Sequence, residues 1–213
     1  VANAVAGANC PAPRSYFAHY YKRFLQFMDE PAITSNDIVM LGNSLTEGGG
    51  DWGKRLGKDN VINRGISGDV AMGIYDRLHQ ILPGKPKQIF LLIGVNDISH
   101  DLSTDSIVNM IEKNVTRIQR ESPETKLYLQ SLLPIDESFN RYKKLTNKTY
   151  QIPEINDRLK ALAKEKKIDF IDLYPLFTEK GTHVLRKELT FDGLHLKEEG
   201  YKIWVDAIKK KMK

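Results

Sequence analysis

The chain has 213 residues, of which 41% are hydrophobic and 28% charged, with 32 Lys and Arg against 27 Asp and Glu and a net charge of +5. That length suits one domain burying roughly 70% of its unfolded surface, and the composition is that of an ordinary soluble globular protein. The single cysteine, Cys10, excludes an internal disulfide and a cysteine zinc site. No apolar run approaches the ~18 residues of a membrane span. Four of the 32 basic residues are Lys209, Lys210, Lys211 and Lys213, a solvated helix end, and the 28 that remain nearly balance the acidic ones, so no nucleic-acid face is expected.

The opening VANAVAGANC lacks methionine and reads as the far side of a removed signal peptide. The expectation is an extracytoplasmic location, periplasmic or secreted, and a cytoplasmic one otherwise. Residues 1–13 are expected to be a flexible segment and 14–213 a single domain. Phe17, Tyr20, Tyr21, Phe24 and Met28 fall at helical spacing up to Pro31. Ile38 to Leu41 is a short apolar run that stops at glycine, as a buried parallel strand would, and Val61-Ile62 is a shorter one. Val70, Ile74, Leu78, Ile81 and Leu82 predict one helix closed by Pro83-Gly84. Ile89 to Ile93 is the most hydrophobic strand and is expected at the centre.

Ile107, Ile111, Val115 and Ile118 mark a helix stopped near Pro123, and Lys126 to Leu133 a fourth strand ended by Pro134. Residues 136–150 are polar and aperiodic, a long loop. Ile152, Ile155, Leu159 and Leu162 form a helix with Pro153 in its first turn. Ile168 to Ile171 is a fifth strand, and Tyr201, Trp204, Val205, Ile208 and Met212 the last helix. Alternation of this kind implies a three-layer α/β/α sandwich around a five-stranded parallel sheet. Ligands of such sheets bind beyond the carboxyl ends of the strands. Ser44, Gly68 and Asn96 each lie just past a strand.

Four polar motifs therefore carry the chemistry: Gly42-Asn43-Ser44-Leu45, Gly65-Ile66-Ser67-Gly68-Asp69, Gly94-Val95-Asn96-Asp97 and Asp192-Gly193-Leu194-His195. Ser44 needs a base to become a nucleophile. Asp192 and His195, three apart, can face one way, so that the carboxylate fixes the imidazole tautomer and leaves its other nitrogen as the base. The N–H groups of Ser44 and Gly68 and the amide of Asn96 would hold an ester oxyanion, at ~3 kcal/mol for each donor. Taken singly, each motif has an ordinary reading: a turn or N-cap serine, a helix-capping aspartate with a surface histidine, an Asn-Asp turn. Gly65-x-x-Gly68 lacks the third glycine of a dinucleotide loop and the Lys-Ser/Thr of a P-loop. His19 and His79 sit in helical patterns and read as surface or structural residues.

In this order the four motifs resemble the SGNH hydrolases, the GDSL esterase and lipase family, over residues 37–208. NRGISGD with the helix after it is most similar to the branch of the platelet-activating-factor acetylhydrolases. The resemblance implies a flavodoxin-like sandwich, no metal or cofactor, and an acyl-serine intermediate, with Ser44, Asp192 and His195 catalytic and Ser44, Gly68 and Asn96 forming the oxyanion hole. It implies removal of a short acyl group, acetyl above others, from a small-molecule or carbohydrate ester. A lysophospholipase or thioesterase, a weak ligand-binding protein on the same fold, and a flavodoxin-like cofactor binder are the alternatives. One residue departs from the family: Asn43 stands where an aspartate is usual, and an amide oxygen can still accept the loop-ordering hydrogen bond. Asn43, Arg141 and Tyr142 are expected to touch substrate, the last two from the 136–150 loop. Asn114-Val115-Thr116 and Asn147-Lys148-Thr149 fit the glycosylation pattern.

Overall fold

The computed structural model describes residues 16–212. The expected flexible segment 1–13, and Cys10 with it, lies outside the described residues. Five strands form one sheet: β1 (Ile38–Gly42), β2 (Val61–Gly65), β3 (Gln88–Leu92), β4 (Lys126–Gln130) and β5 (Asp169–Ile171). All neighbours are parallel, in the order β2-β1-β3-β4-β5. The most apolar strand is indeed the middle one, and β1 and β3 are buried at every position.

That order decides which helix covers which face. The step from β1 to β2 runs one way across the sheet, and the steps β2–β3, β3–β4 and β4–β5 run the other. With right-handed crossovers, the connections must then lie on opposite faces. The first face takes α2 (Ser44–Gly48) and α3 (Trp52–Leu56). The second takes α4 (Ala71–Tyr75), α5 (Val95–Ser99), α6 (Thr104–Glu121) and α7 (Gln151–Lys166). After β5 come a single turn, α8 (Tyr174–Phe177), and α9 (Glu198–Lys209), which returns to the first face beside α3. There Trp52 and Trp204 meet edge to face, centroids 4.9 Å apart. Each buried indole N–H finds an acceptor, Thr46 O at 2.9 Å and Gln130 Oε1 at 2.7 Å.

Helix α6 follows from its spacing. Ile107, Ile111, Val115 and Ile118 are fully buried on one stripe, each contributing about 2 kcal/mol of apolar burial. Ser103 caps it by accepting from Ser106 N at 3.1 Å, and it ends just before Pro123. The same packing buries Asn114, whose amide donates to Ala71 O and Met110 O. Its Asn-Val-Thr pattern is therefore inaccessible in the folded chain.

The helix predicted over 70–82 is a correction. It is α4 followed by two 3-10 turns, Leu78–Gln80 and Leu82–Gly84. Arg77 sits between α4 and the first of these turns with φ −120° and no exposure. Its guanidinium is drawn to the sheet edge by Asp69, Arg64 O and Gly42 O, which breaks the helical repeat.

Helix α1 (Ala18–Asp29) has its own small core of Tyr20, Phe24, Phe27 and Ile66. Tyr20 ties it to Gly73 O through its hydroxyl at 2.7 Å. Among the described residues no helix is long and apolar enough to cross a membrane.

Candidate active site

Sheet register builds the site. Gly42 is level with Gly65 on one side and with Leu92 on the other, so the chain leaves three adjacent strands in one row. Ser44, Gly68 and Asn96 follow two, three and four residues later. A side chain at 42 is impossible, since a Cβ would lie 2.5 Å from Leu92 O and 2.3 Å from Thr46 Oγ1. Chain reversal after β1 is immediate, and Ser44 becomes the first residue of α2 with Asn43 as its cap. Its N–H is then one of the groups that a helix start leaves free.

The far end of the chain meets it there. His195 Nε2 lies 2.9 Å from Ser44 Oγ, across 151 residues of sequence. His195 Nδ1 lies 2.7 Å from Asp192 Oδ2. The Asp192–His195 segment is a tight turn rather than a helix start, with Gly193 at φ +92°. Asp192 Oδ1 accepts from Leu194 N at 2.9 Å and His195 N at 2.7 Å. Thr190 Oγ1 braces the turn, accepting from Gly193 N and donating to His195 O at 2.6 Å.

Tyr142 completes the set. Its hydroxyl donates to Asp192 Oδ2 at 2.5 Å and lies 3.0 Å from His195 Nδ1. Burial by itself would raise the Asp192 carboxyl. The hydrogen bonds from Tyr142, His195 and the two backbone N–H groups outweigh it and hold the group down at about 2. Burial and the Asp192 charge push the Tyr142 hydroxyl up to about 12. Asp192 is therefore ionised, and its acceptance from Nδ1 leaves the Nε2 lone pair facing Ser44.

The candidate donors for an oxyanion are held as firmly. Gly68 has φ +87°, and its N–H has no acceptor among the described residues. Asn96 Nδ2 spends one proton on Asp69 O at 2.9 Å, which aims the amide and leaves the second proton free. Asp97 accepts from Ala71 N, joining the third motif to the helix after the second. Burial pushes its carboxyl up to about 7 and that of Asp69 up to about 6, the latter restrained by the Arg77 charge.

A second network lies beneath Gly68. Glu47 on α2 accepts from Ser67 Oγ at 2.9 Å and Ser67 N at 3.3 Å. It also meets His19 Nε2 at 2.8 Å and Arg23 Nε at 3.1 Å on α1. Burial would raise its carboxyl, but the bonds from His19 and Ser67, with Arg23, hold it below the usual range. His19 is thus a structural partner, as its helical setting suggests, through a contact that no local spacing reveals. Glu47 and Arg77 are among the residues that sequence reasoning missed, because each acts on partners from other elements. His79 is half-buried against Phe24, and burial lowers its imidazole.

Two residues expected to touch substrate have polar groups that the protein itself engages or buries. Asn43 has no exposed surface. Its Oδ1 accepts from Leu45 N at 3.0 Å, the loop-ordering bond expected of the usual aspartate, and its Nδ2 has no partner among the described residues. Such a side chain is closed to a ligand. The Tyr142 hydroxyl is spent on Asp192, so only the ring of Tyr142 remains open. Arg141 beside it is exposed. Phe191, 59% exposed, lies nearly parallel to the His195 ring at 6.1 Å and adds an aromatic surface that the sequence reading did not single out.

The model of the GDSL-like lipase/acylhydrolase family matches residues 40–203. The chain belongs to that family. A GDSL-like lipase from Bacteroides thetaiotaomicron is 25% identical, with a TM-score of 0.80 over 92% of this chain and 98% of its own. A platelet activating factor candidate from Streptococcus pneumonia is 26% identical, with a TM-score of 0.79 over 92% and 93%. An acetyl xylan esterase is 22% identical and shares the fold, with a TM-score of 0.69 over 83% and 100%. The N-acylneuraminate cytidylyltransferase of Escherichia coli O18:K1:H7 is 24% identical over 184 residues, which are 81% of this chain. The chain spans only 39% of that relative's length. The matched region is thus a GDSL-like lipase/acylhydrolase domain.

Proposed function

We propose that this GDSL-like acylhydrolase removes a short acyl group, acetyl above others, from a carbohydrate ester through an acyl-serine intermediate. One observation carries the reading: Ser44 Oγ, His195 and Asp192 form a single hydrogen-bonded chain at 2.9 and 2.7 Å. In it, His195 Nε2 takes the Ser44 proton as Oγ attacks the ester carbonyl. The oxyanion is held by Ser44 N–H, Gly68 N–H and Asn96 Nδ2. Collapse returns the proton from Nε2 to the leaving alcohol oxygen. A water then attacks the acyl-serine with the same base, and the acid departs.

Support for a sugar as the alcohol comes from the rim. Phe191 and the ring of Tyr142 flank His195 and are open to solvent, with Arg141 next to them. Flat apolar faces with a polar neighbour suit the faces and hydroxyls of a pyranose. The name of the acetyl xylan esterase points to an acylated sugar as well.

A longer acyl group is the second reading, favoured by a hollow of about 520 Å³ beside Gly68, lined by Phe17, Val70, Met72, Leu102 and Met110 among others. Acetylated xylo-oligosaccharides and p-nitrophenyl esters of two to twelve carbons separate the two. A kcat/KM that falls with chain length supports the acetyl reading, and one that rises overturns it. Loss of all hydrolysis and of fluorophosphonate labelling in Ser44→Ala is expected. Retained activity in that variant would remove Ser44 from the chemistry.

A further inference from the structure

The connection from β4 to α7 reaches back across the chain to the base. Tyr142 stands within it, between the 3-10 turns Glu137–Phe139 and Lys143–Leu145, and its hydroxyl occupies the same carboxylate oxygen that His195 uses. From this juxtaposition we infer that Tyr142 is a positioning residue that sets the basicity of the Asp192–His195 pair and thereby the acid limit of turnover. The inference rests on the assignment of Ser44, His195 and Asp192 as the reacting chain.

The proton inventory permits one arrangement. Nδ1–H must donate to Asp192 if Nε2 is to accept from Ser44. The tyrosine has one proton, and at 2.5 Å that proton goes to Oδ2. Its oxygen lone pair then faces the Nδ1–H at 3.0 Å. Two consequences follow. The Nδ1–H tautomer is enforced, since a proton on Nε2 would leave Nδ1 as a bare acceptor beside an ionised carboxylate. The carboxylate also shares its charge between two donors on one oxygen, so it stabilises an imidazolium less than it would with His195 alone. The shorter bond, to Asp192, outweighs the longer one to Nδ1.

The charged groups around the pair leave this assignment intact. From its own loop, Tyr142 has Arg141, Asp136 and Glu137 as neighbours in the small cleft against Asp192. The turn that packs on the loop supplies Asp192 and His195, and Asp136 N holds that turn through Gly193 O at 2.9 Å. Asp136 Oδ1 accepts from Ser138 while its buried Oδ2 has no partner among the described residues, and Glu137 accepts from Asn147 and Thr149 within the loop. The tyrosine hydroxyl is the loop group that bonds to the carboxylate.

The test is Tyr142→Phe, which keeps the ring and removes only the hydroxyl. kcat/KM for p-nitrophenyl acetate is measured from pH 4 to 9 for the wild type, Y142F and S44A. Removing the donor restores carboxylate charge to His195, so the acid limb in Y142F moves to higher pH by about 0.5 to 1, the worth of one hydrogen bond. An acid limb at the wild-type pH, with activity lowered equally throughout or not at all, overturns the inference and makes Tyr142 a loop anchor. A limb displaced to lower pH overturns it too. If S44A still hydrolyses the ester, the hydrolase assignment itself falls, and the two failures are told apart.

Discussion

Replacing Asn96 by alanine isolates one of the proposed oxyanion donors. Its carboxamide makes a single described hydrogen bond, to Asp69 O at 2.9 Å, so the deletion frees one carbonyl and removes one outward-facing N–H. The turn that presents Gly68 has its own closure, Asp69 N to Ile66 O at 3.0 Å, and Ser67 remains bonded to Glu47. The other two donors therefore stay where they are. Losing the Asp69 bond costs about 1 kcal/mol of stability, or about 2–4 °C in Tm for a chain of this size. Losing the donor costs the transition state about 2.7–4 kcal/mol, a drop in kcat of ~10²–10³. Because the charge on the oxygen appears only during attack, KM should move by less than about threefold. The assay is steady-state hydrolysis of p-nitrophenyl acetate at 25 °C, with a thermal melt to show that the variant is folded. A folded N96A with kcat within threefold of wild type, or a loss confined to KM, would refute the oxyanion assignment.

Two further outcomes test the frame around the site. Arg77→Met strands the buried Asp69 carboxylate and removes the donors to Gly42 O and Arg64 O, an expected loss of about 3–5 kcal/mol and a Tm lower by about 10 °C at pH 8. Asp69 has a raised folded pKa of about 6, so protonation relieves the stranded charge as pH falls. The deficit measured by urea unfolding should be smaller at pH 5 than at pH 8, and a deficit below about 1 kcal/mol at pH 8 would contradict the clamp. Asp192 behaves with the opposite sign. Its folded pKa of about 2 lies below the ordinary 3.8, so its contribution of about 2 kcal/mol is complete above pH ~4 and is lost as pH falls toward 2. The stability gap between wild type and Asp192→Asn should therefore close over that interval, and a gap independent of pH would count against the hydrogen-bond set at Asp192.

Much of this was readable along the chain, and the reasons are local. Strands stand where short apolar runs meet a glycine or proline, as at Ile38–Gly42, and α6 is visible as a stripe of isoleucine and valine. The motifs were legible because each packs its chemistry into four or five consecutive residues, so Asp192 and His195 announce their pairing by spacing alone. Boundaries suffered where a distant partner overrode periodicity. The apolar repeat from Val70 to Leu82 has a helical period, yet Arg77 interrupts it because three acceptors on β1, β2 and the loop after β2 attract its guanidinium. The partners of Asn43 and Tyr142 could not be read for a related reason: composition shows that a side chain is polar, not whether it faces solvent or another residue.

What residue order determined by itself was the inventory: five strands, their flanking helices, and the residues proposed as nucleophile, base with its carboxylate, and oxyanion donors. Backbone propensity and side-chain chemistry are properties of short segments, and short segments suffice to write them. Tertiary structure alone decided who meets whom. Strand order set Gly42, Gly65 and Leu92 in one row, the return of the last turn brought His195 to Ser44, and the long loop laid Tyr142 on Asp192. Those meetings depend on closing loops of 50 to 151 residues, and the free energy that closes them comes from the whole core rather than from any stretch that could be read in isolation.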